Sequence, residues 1–100
     1  MIVGFCKIEL HIPQARSLKD KRQVVKSLAH KISHRFNVSV SEIDDHDLWQ
    51  RGTIGVAHVA NNHTAVAKLL QSVAAFAEGI SGGEVIRSTC SYYNPEKDSS

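Results

Sequence analysis

No stretch of this sequence approaches the roughly 18 uninterrupted apolar residues of a membrane-spanning helix, which argues against a helical membrane protein. Cysteine is nearly absent. Cys6 and Cys90 are the only two, too few for the disulfide framework of a small secreted domain, so both are expected as reduced thiols. The apolar opening Met1-Ile2-Val3-Gly4-Phe5-Cys6 has neither a basic lead-in nor a small-residue cleavage site, and Lys7 and Glu9 interrupt it. Export is therefore not expected, and a cytoplasmic location is. Nor does charge of one sign dominate, since 12 Lys and Arg stand against 10 Asp and Glu for a net +2. That balance alone does not point to nucleic acid. No spacing fits a zinc site, a phosphate loop or a dinucleotide fingerprint. The six His are scattered and there is no internal repeat, so no cofactor and no catalytic residue is expected.

What is present is enough apolar sequence, 42% of 100 residues, to bury one core but hardly two. Residues 1–93 are read as one domain, and the polar residues 94–100 as a disordered tail. The charge, though mild in total, is unevenly placed. Residues 1–36 hold Lys7, Arg16, Lys19, Lys21, Arg22, Lys26, Lys31 and Arg35 against Glu9 and Asp20, a local +6, and the remainder sums to −4. Such asymmetry can steer an anionic partner to one side of a domain, and it also fits the solvated face of a surface helix.

Alternation over residues 2–12 sets Cys6, Ile8, Leu10 and Ile12 on one face of a strand, with Phe5, Lys7, Glu9 and His11 on the other. Pro13 ends it. Ser17 with Asp20 three residues on has the spacing of a capping box. Leu18, Lys21, Val25, Leu28 and Ile32 then recur at helical spacing, with the Lys21 stem at the stripe's edge. Lys19, Arg22, Lys26 and His30 occupy the other side. A second strand is predicted over residues 36–43, with Val38 and Val40 inward. A third is predicted over residues 49–60, with Ile54 and Val56 inward and Trp49, Arg51, Thr53 and Val59 outward. A second helix starts near Asn62 or Thr64, carries Val66, Leu69, Leu70, Val73, Phe76 and Ala77 as its stripe, and is capped by Gly79. Gly82-Gly83 turns into a last strand over residues 84–93.

The order strand-helix-strand-strand-helix-strand, with right-handed crossovers and one apolar stripe per helix, specifies an α+β fold. It is the ferredoxin-like βαββαβ plait: a four-stranded antiparallel sheet of order 4-1-3-2 with two helices on one face. The other face is left open, and such a face needs polar cover or a partner.

Several segments give a family likeness. His11-Ile12-Pro13, Ser17-Leu18-Lys19-Asp20-Lys21-Arg22, Arg35-Phe36-Asn37-Val38-Ser39-Val40 and Asp47-Leu48-Trp49-Gln50-Arg51 resemble the YlxP-like family of small bacterial proteins. The likeness covers most of residues 1–60 and loosens beyond. It implies a ferredoxin-like fold, a bacterial cytoplasmic protein, no established enzyme activity, and a link to RNA or ribosome-related processes.

The leading expectation is a binding protein rather than an enzyme. Lys19, Arg22 and Lys26 would contact phosphates of RNA or a ribosomal component, while Phe5, Trp49 and Arg51 on the open sheet would stack on unpaired bases. The same Lys/Arg run also fits a solvated helix face, and Trp49 equally fits a closing side chain at the edge of the core. The run Arg51-Gly52-Thr53-Ile54-Gly55-Val56 is similar to the third-strand signature of RNA-recognition motifs. It has Thr53 and Gly55 where that signature needs aromatics, which disfavours the conventional binding mode. The alternative is a homodimer, or a contact with another protein, through Val3, Phe5 and Val59 on the open face. Asp44, Asp45, His46 and Asp47 offer donors for a hard metal, but such clusters ordinarily serve as turn formers. Cys6 and Cys90 fall on neighbouring strands and are read as small buried side chains rather than a disulfide.

Overall fold

The computed structural model describes residues 1–43 and 48–98. In chain order the elements are β1 (Ile2–His11), α1 (Leu18–Arg35), β2 (Ser39–Ile43), β3 (Arg51–Ala60), α2 (His63–Ala77), β4 (Glu84–Tyr93) and a single turn, α3 (Pro95–Asp98). The sheet order is β2-β3-β1-β4 with every pair antiparallel, the expected plait read from the other edge.

Both helices lie on one side of the sheet. A Cβ at Gly4 of β1 would run into Val66 and Leu70 of α2, and one at Gly52 of β3 into Val25 of α1. Gly4 faces His58 and Gly52 faces Leu10 across the β1–β3 ladder, so these residues share the even-numbered face. Cys6, Ile8, Leu10, Ile54 and Val56 on that face meet Val25, Leu28 and Ile32 of α1 and Val66, Leu70 and Val73 of α2 in one core. At the far ends of the helices Phe36 and Phe76 close the layer edge to face, with ring centroids 5.7 Å apart.

Local chemistry sets the element ends. Ser17 Oγ accepts from the Asp20 N–H at 3.1 Å, the first half of the expected capping box. The other half differs: the Asp20 carboxylate accepts from Arg16 N–H at 2.9 Å instead of Ser17, so it neutralises the donor one residue earlier. Asn62 caps α2 by accepting from Ala65 N–H at 2.9 Å. Gly79 is not the left-handed cap expected of it: Glu78 ends α2 in the right-handed region with its N–H shared between the carbonyls of Ala74 and Ala75, and Gly79 N–H donates to Phe76 O at 3.1 Å. Gly82 is where positive φ is needed, at 86°.

Two strands start later than their apolar content suggests. Phe36 is the C-cap of α1, donating to Ile32 O at 2.9 Å, and β2 begins only at Ser39. Trp49 and Gln50 precede β3: Gln50 O accepts from Ile12 N–H at 2.8 Å, and its Nε2 donates to Pro13 O at 3.0 Å. This clamp fixes the loop into α1 against the start of β3. Within the stretch expected as a disordered tail, Pro95–Asp98 form α3, because Asn94 Oδ1 accepts from the N–H groups of Glu96 and Lys97 at 3.1 and 3.2 Å and Pro95 suits a first helical position; residues 99 and 100 lie outside the described residues. The Asp44, Asp45, His46 and Asp47 cluster lies outside the described residues. No helix among the described residues is long and apolar enough to cross a membrane.

Candidate nucleic-acid interface

The cationic surface is built on α1. Its 18 residues carry Lys19, Lys21, Arg22, Lys26, Lys31 and Arg35 against one acid, Asp20, which is engaged at the cap. The core-facing stripe of Lys21, Val25, Leu28 and Ile32 fixes the rotation of the helix. Lys21 is therefore held down along its stem, 9% exposed beside Gly52. Lys19, Arg22 and Lys26, at i, i+3 and i+7, are turned away from the sheet and exposed, so they form one continuous stripe. The ion pairs among the described residues join His11 to Glu84, Arg87 to Glu9 and the amino terminus to Glu96. None reaches Lys19, Arg22 or Lys26. The His30 and His34 rings extend the outward side, 4.2 Å apart, and Arg35 leaves it to lie 5.2 Å from the Phe76 ring centre.

The open sheet face is a separate surface. Phe5 stands there, 47% exposed, opposite Ala57, and Arg51 stands opposite His11. Phe5 and Arg51 are thus six residues apart along the ladder, about 20 Å. Trp49, 52% exposed, joins Arg51 at the far end in a hollow of about 960 Å³ with Glu9, His11, Glu84 and Ile86. Within it His11 Nδ1 lies 3.0 Å from Glu84 Oε1, and Glu9 Oε2 lies 3.8 Å from Arg87 Nε outside the lining. Nearer the middle, Phe5 and Ile43 flank a shallow apolar groove of about 490 Å³ floored by Gly55 and Ala57.

The six residues expected to bind RNA lie on two surfaces, as the layering expected from the sequence requires. Lys19, Arg22 and Lys26 sit on the outer side of the helix layer, whereas Phe5 and Arg51 sit on the opposite side of the sheet, with Trp49 at its end. The reason is the layering itself: a helix buries its stripe against one sheet face, so its outward residues look away from the other. Sequence reading placed Val3, Phe5 and Val59 on the open face, and the structure adds Ile43, Ile86 and Tyr93, all substantially exposed. Tyr93 follows from alternation along β4. Ile86 does not, because β4 shifts register opposite Glu9 and Leu10.

On the helix side, Cys6 is directly opposite Cys90 in the β1–β4 ladder. Burial, and then the adjacent Cys90 thiol, push the Cys6 thiol from 9.0 up to about 12. The Tyr92 hydroxyl is also raised, by burial first and then by the neighbouring thiols. No group of three or more His, Cys, Asp or Glu among the described residues is placed to hold a metal ion.

Comparison with known proteins gives relatives but no activity. A protein of Bacillus subtilis (strain 168), described as "Uncharacterized protein YlxP", is 43% identical over 75 residues, which cover 75% of this chain and 82% of that protein. The crystal structure of a putative chlorite dismutase, TA0507, matches with a TM-score of 0.56 at 12% identity. The match covers 99% of this chain but only 47% of that one, and it bears on the fold alone. The family model "Protein of unknown function (DUF503)" matches residues 3–90. With that span and the YlxP identity together, the chain belongs to the DUF503, YlxP-like family.

Proposed function

We propose that this is a non-enzymatic bacterial cytoplasmic protein that binds RNA, free or ribosomal, through the phosphate backbone. The observation that carries the reading is the stripe of Lys19, Arg22 and Lys26, exposed and without an ion pair among the described residues, on a helix whose one acid is committed to its cap. Concentrating like charge on one helix raises its self-repulsion, and a polyanion relieves it. Phosphates need positive donors and no base identity, so binding of this kind is weakly sequence-dependent and strongly salt-dependent. Phe5, Trp49 and Arg51 are not part of that contact, because a strand lying on α1 does not reach the open sheet face. The test is fluorescence anisotropy with a short labelled RNA hairpin, beginning at low salt. Binding that weakens steeply as salt rises is expected; no binding at low salt removes the proposal.

A second reading concerns the open face and a second copy of this chain. Phe5, Ile43, Val59, Ile86 and Tyr93 are exposed together on one side, which is unusual for an isolated small domain. The sheet offers roughly 600 Å², of the order of what one partner contributes to a stable interface. Lys7 and Glu9 follow each other on that face of β1. A two-fold axis crossing β1 between them sets Lys7 of one copy against Glu9 of the other, which favours a second copy as the occupant. Sedimentation over a range of concentrations tests this, and a strict monomer contradicts it.

A further inference from the structure

We infer that Cys6 and Cys90 form a reversible cross-strand dithiol site, oxidised by one equivalent of a low-molecular-weight disulfide to a bond that ties the edge strand β4 to β1. The two residues are direct partners in the β1–β4 ladder and point to the same, helix-covered face. Facing residues in an antiparallel pair have Cα atoms about 4.5–5.5 Å apart, inside the span of about 4.4–6.8 Å that disulfides bridge. Each thiol lies close enough to the other for Cys90 to raise the Cys6 pKa. Closing the bond therefore calls for side-chain rotation rather than movement of either strand.

The two thiols differ in access, and that sets the order of events. Cys6 is 1% exposed beneath α2, in the core with Ile8 and Val66, whereas Cys90 on the edge strand is only half-buried. β4 has β1 as its one neighbour in the sheet, which leaves Cys90 approachable from the side. The Cys90 thiolate attacks one sulfur of the reagent RS–SR, forms a mixed disulfide and expels one RS⁻. Cys6 then loses its proton and attacks the Cys90 sulfur, expelling the second RS⁻. The protein gives up two protons and two electrons; the reagent is reduced to two RSH. The raised pKa of Cys6, about 12, is consistent with Cys90 acting first. Once Cys90 is derivatised, its thiol no longer raises the Cys6 pKa, and burial, the largest cause of the shift, is what opposes the second step.

The site does not depend on RNA binding, and its test needs no RNA. The reduced full chain is incubated with oxidised glutathione, quenched with iodoacetamide and measured by intact mass and peptide mapping. The expected product has lost two hydrogens, yields one linked peptide pair containing Cys6 and Cys90, and reverts with dithiothreitol. C6A should stop at a stable glutathione adduct on Cys90, and C90S should remain unmodified over the same interval. A persistent Cys90 adduct on the wild-type chain, a Cys90-linked dimer, no reaction, or modification of C90S at the wild-type rate would each overturn the inference.

Discussion

Replacing Lys19, Arg22 and Lys26 together by alanine should flatten the salt dependence of RNA binding by a calculable amount. Each neutralised phosphate contributes about 0.7 to the slope of log Kobs against log salt on single strands and about 0.9 on duplex, so three lost contacts reduce the slope by about 2 to 3. Between 50 and 200 mM salt, a slope of 2 corresponds to about a sixteenfold change in affinity that the wild type shows and the variant does not. The fold should survive. All three positions are exposed on α1, alanine is the best helix former, and surface changes of this kind usually move stability by no more than about 0.5 kcal/mol. Anisotropy titrations of wild type and variant at four salt concentrations give both slopes, and circular dichroism confirms the helix content. Parallel slopes would refute the reasoning, because binding would then be electrostatically independent of the stripe.

Other consequences follow from single positions. G4A should lower stability by about 1–3 kcal/mol in urea denaturation, because its Cβ meets Val66 Cγ1 and Leu70 Cδ1 at a place where α2 packs directly on the backbone of β1. F5D should abolish any concentration-dependent association seen in sedimentation while leaving RNA affinity within twofold, since Phe5 lies on the sheet face opposite α1. Alkaline pH should destabilise the reduced protein. The Cys6 thiol ionises near 9.0 when unfolded and is pushed up to about 12 when folded, so its contribution is complete below pH 9 and is lost as pH rises toward 12. C6A should lack that decline when melting is followed from pH 8 to 10.5.

Periodicity in the sequence carries most of this architecture, because a period of two along β1 and of 3.6 along α1 and α2 reflects which side of each element meets the core. Its failures have specific causes. Phe36 has the apolar, aromatic character of a strand residue, but its ring belongs to a contact with Phe76, forty residues away, that no local window contains. Trp49 and Gln50 look continuous with β3, yet the Gln50 carbonyl is taken by Ile12, and only the assembled fold shows that bond. The cationic stripe was legible because its spacing is helical and its residues are local. Its separation from Phe5 was legible through the predicted topology rather than through spacing alone. It follows from layer geometry, since the outward side of a helix and the uncovered side of its sheet are opposite surfaces. The facing of Cys6 and Cys90 depends on the irregularity in β4 near Val85 and Arg87, which sets the register of everything after it.

The most direct measurement is a backbone amide chemical-shift titration of the 15N-labelled protein with a short RNA hairpin at low salt. Shifts should concentrate on α1 around Lys19, Arg22, Lys26 and His30 and leave Phe5, Gly55, Ala57 and Val59 in place. Shifts confined to the open sheet face, or none anywhere at saturating RNA, would contradict the assignment of the helix stripe as the contact surface.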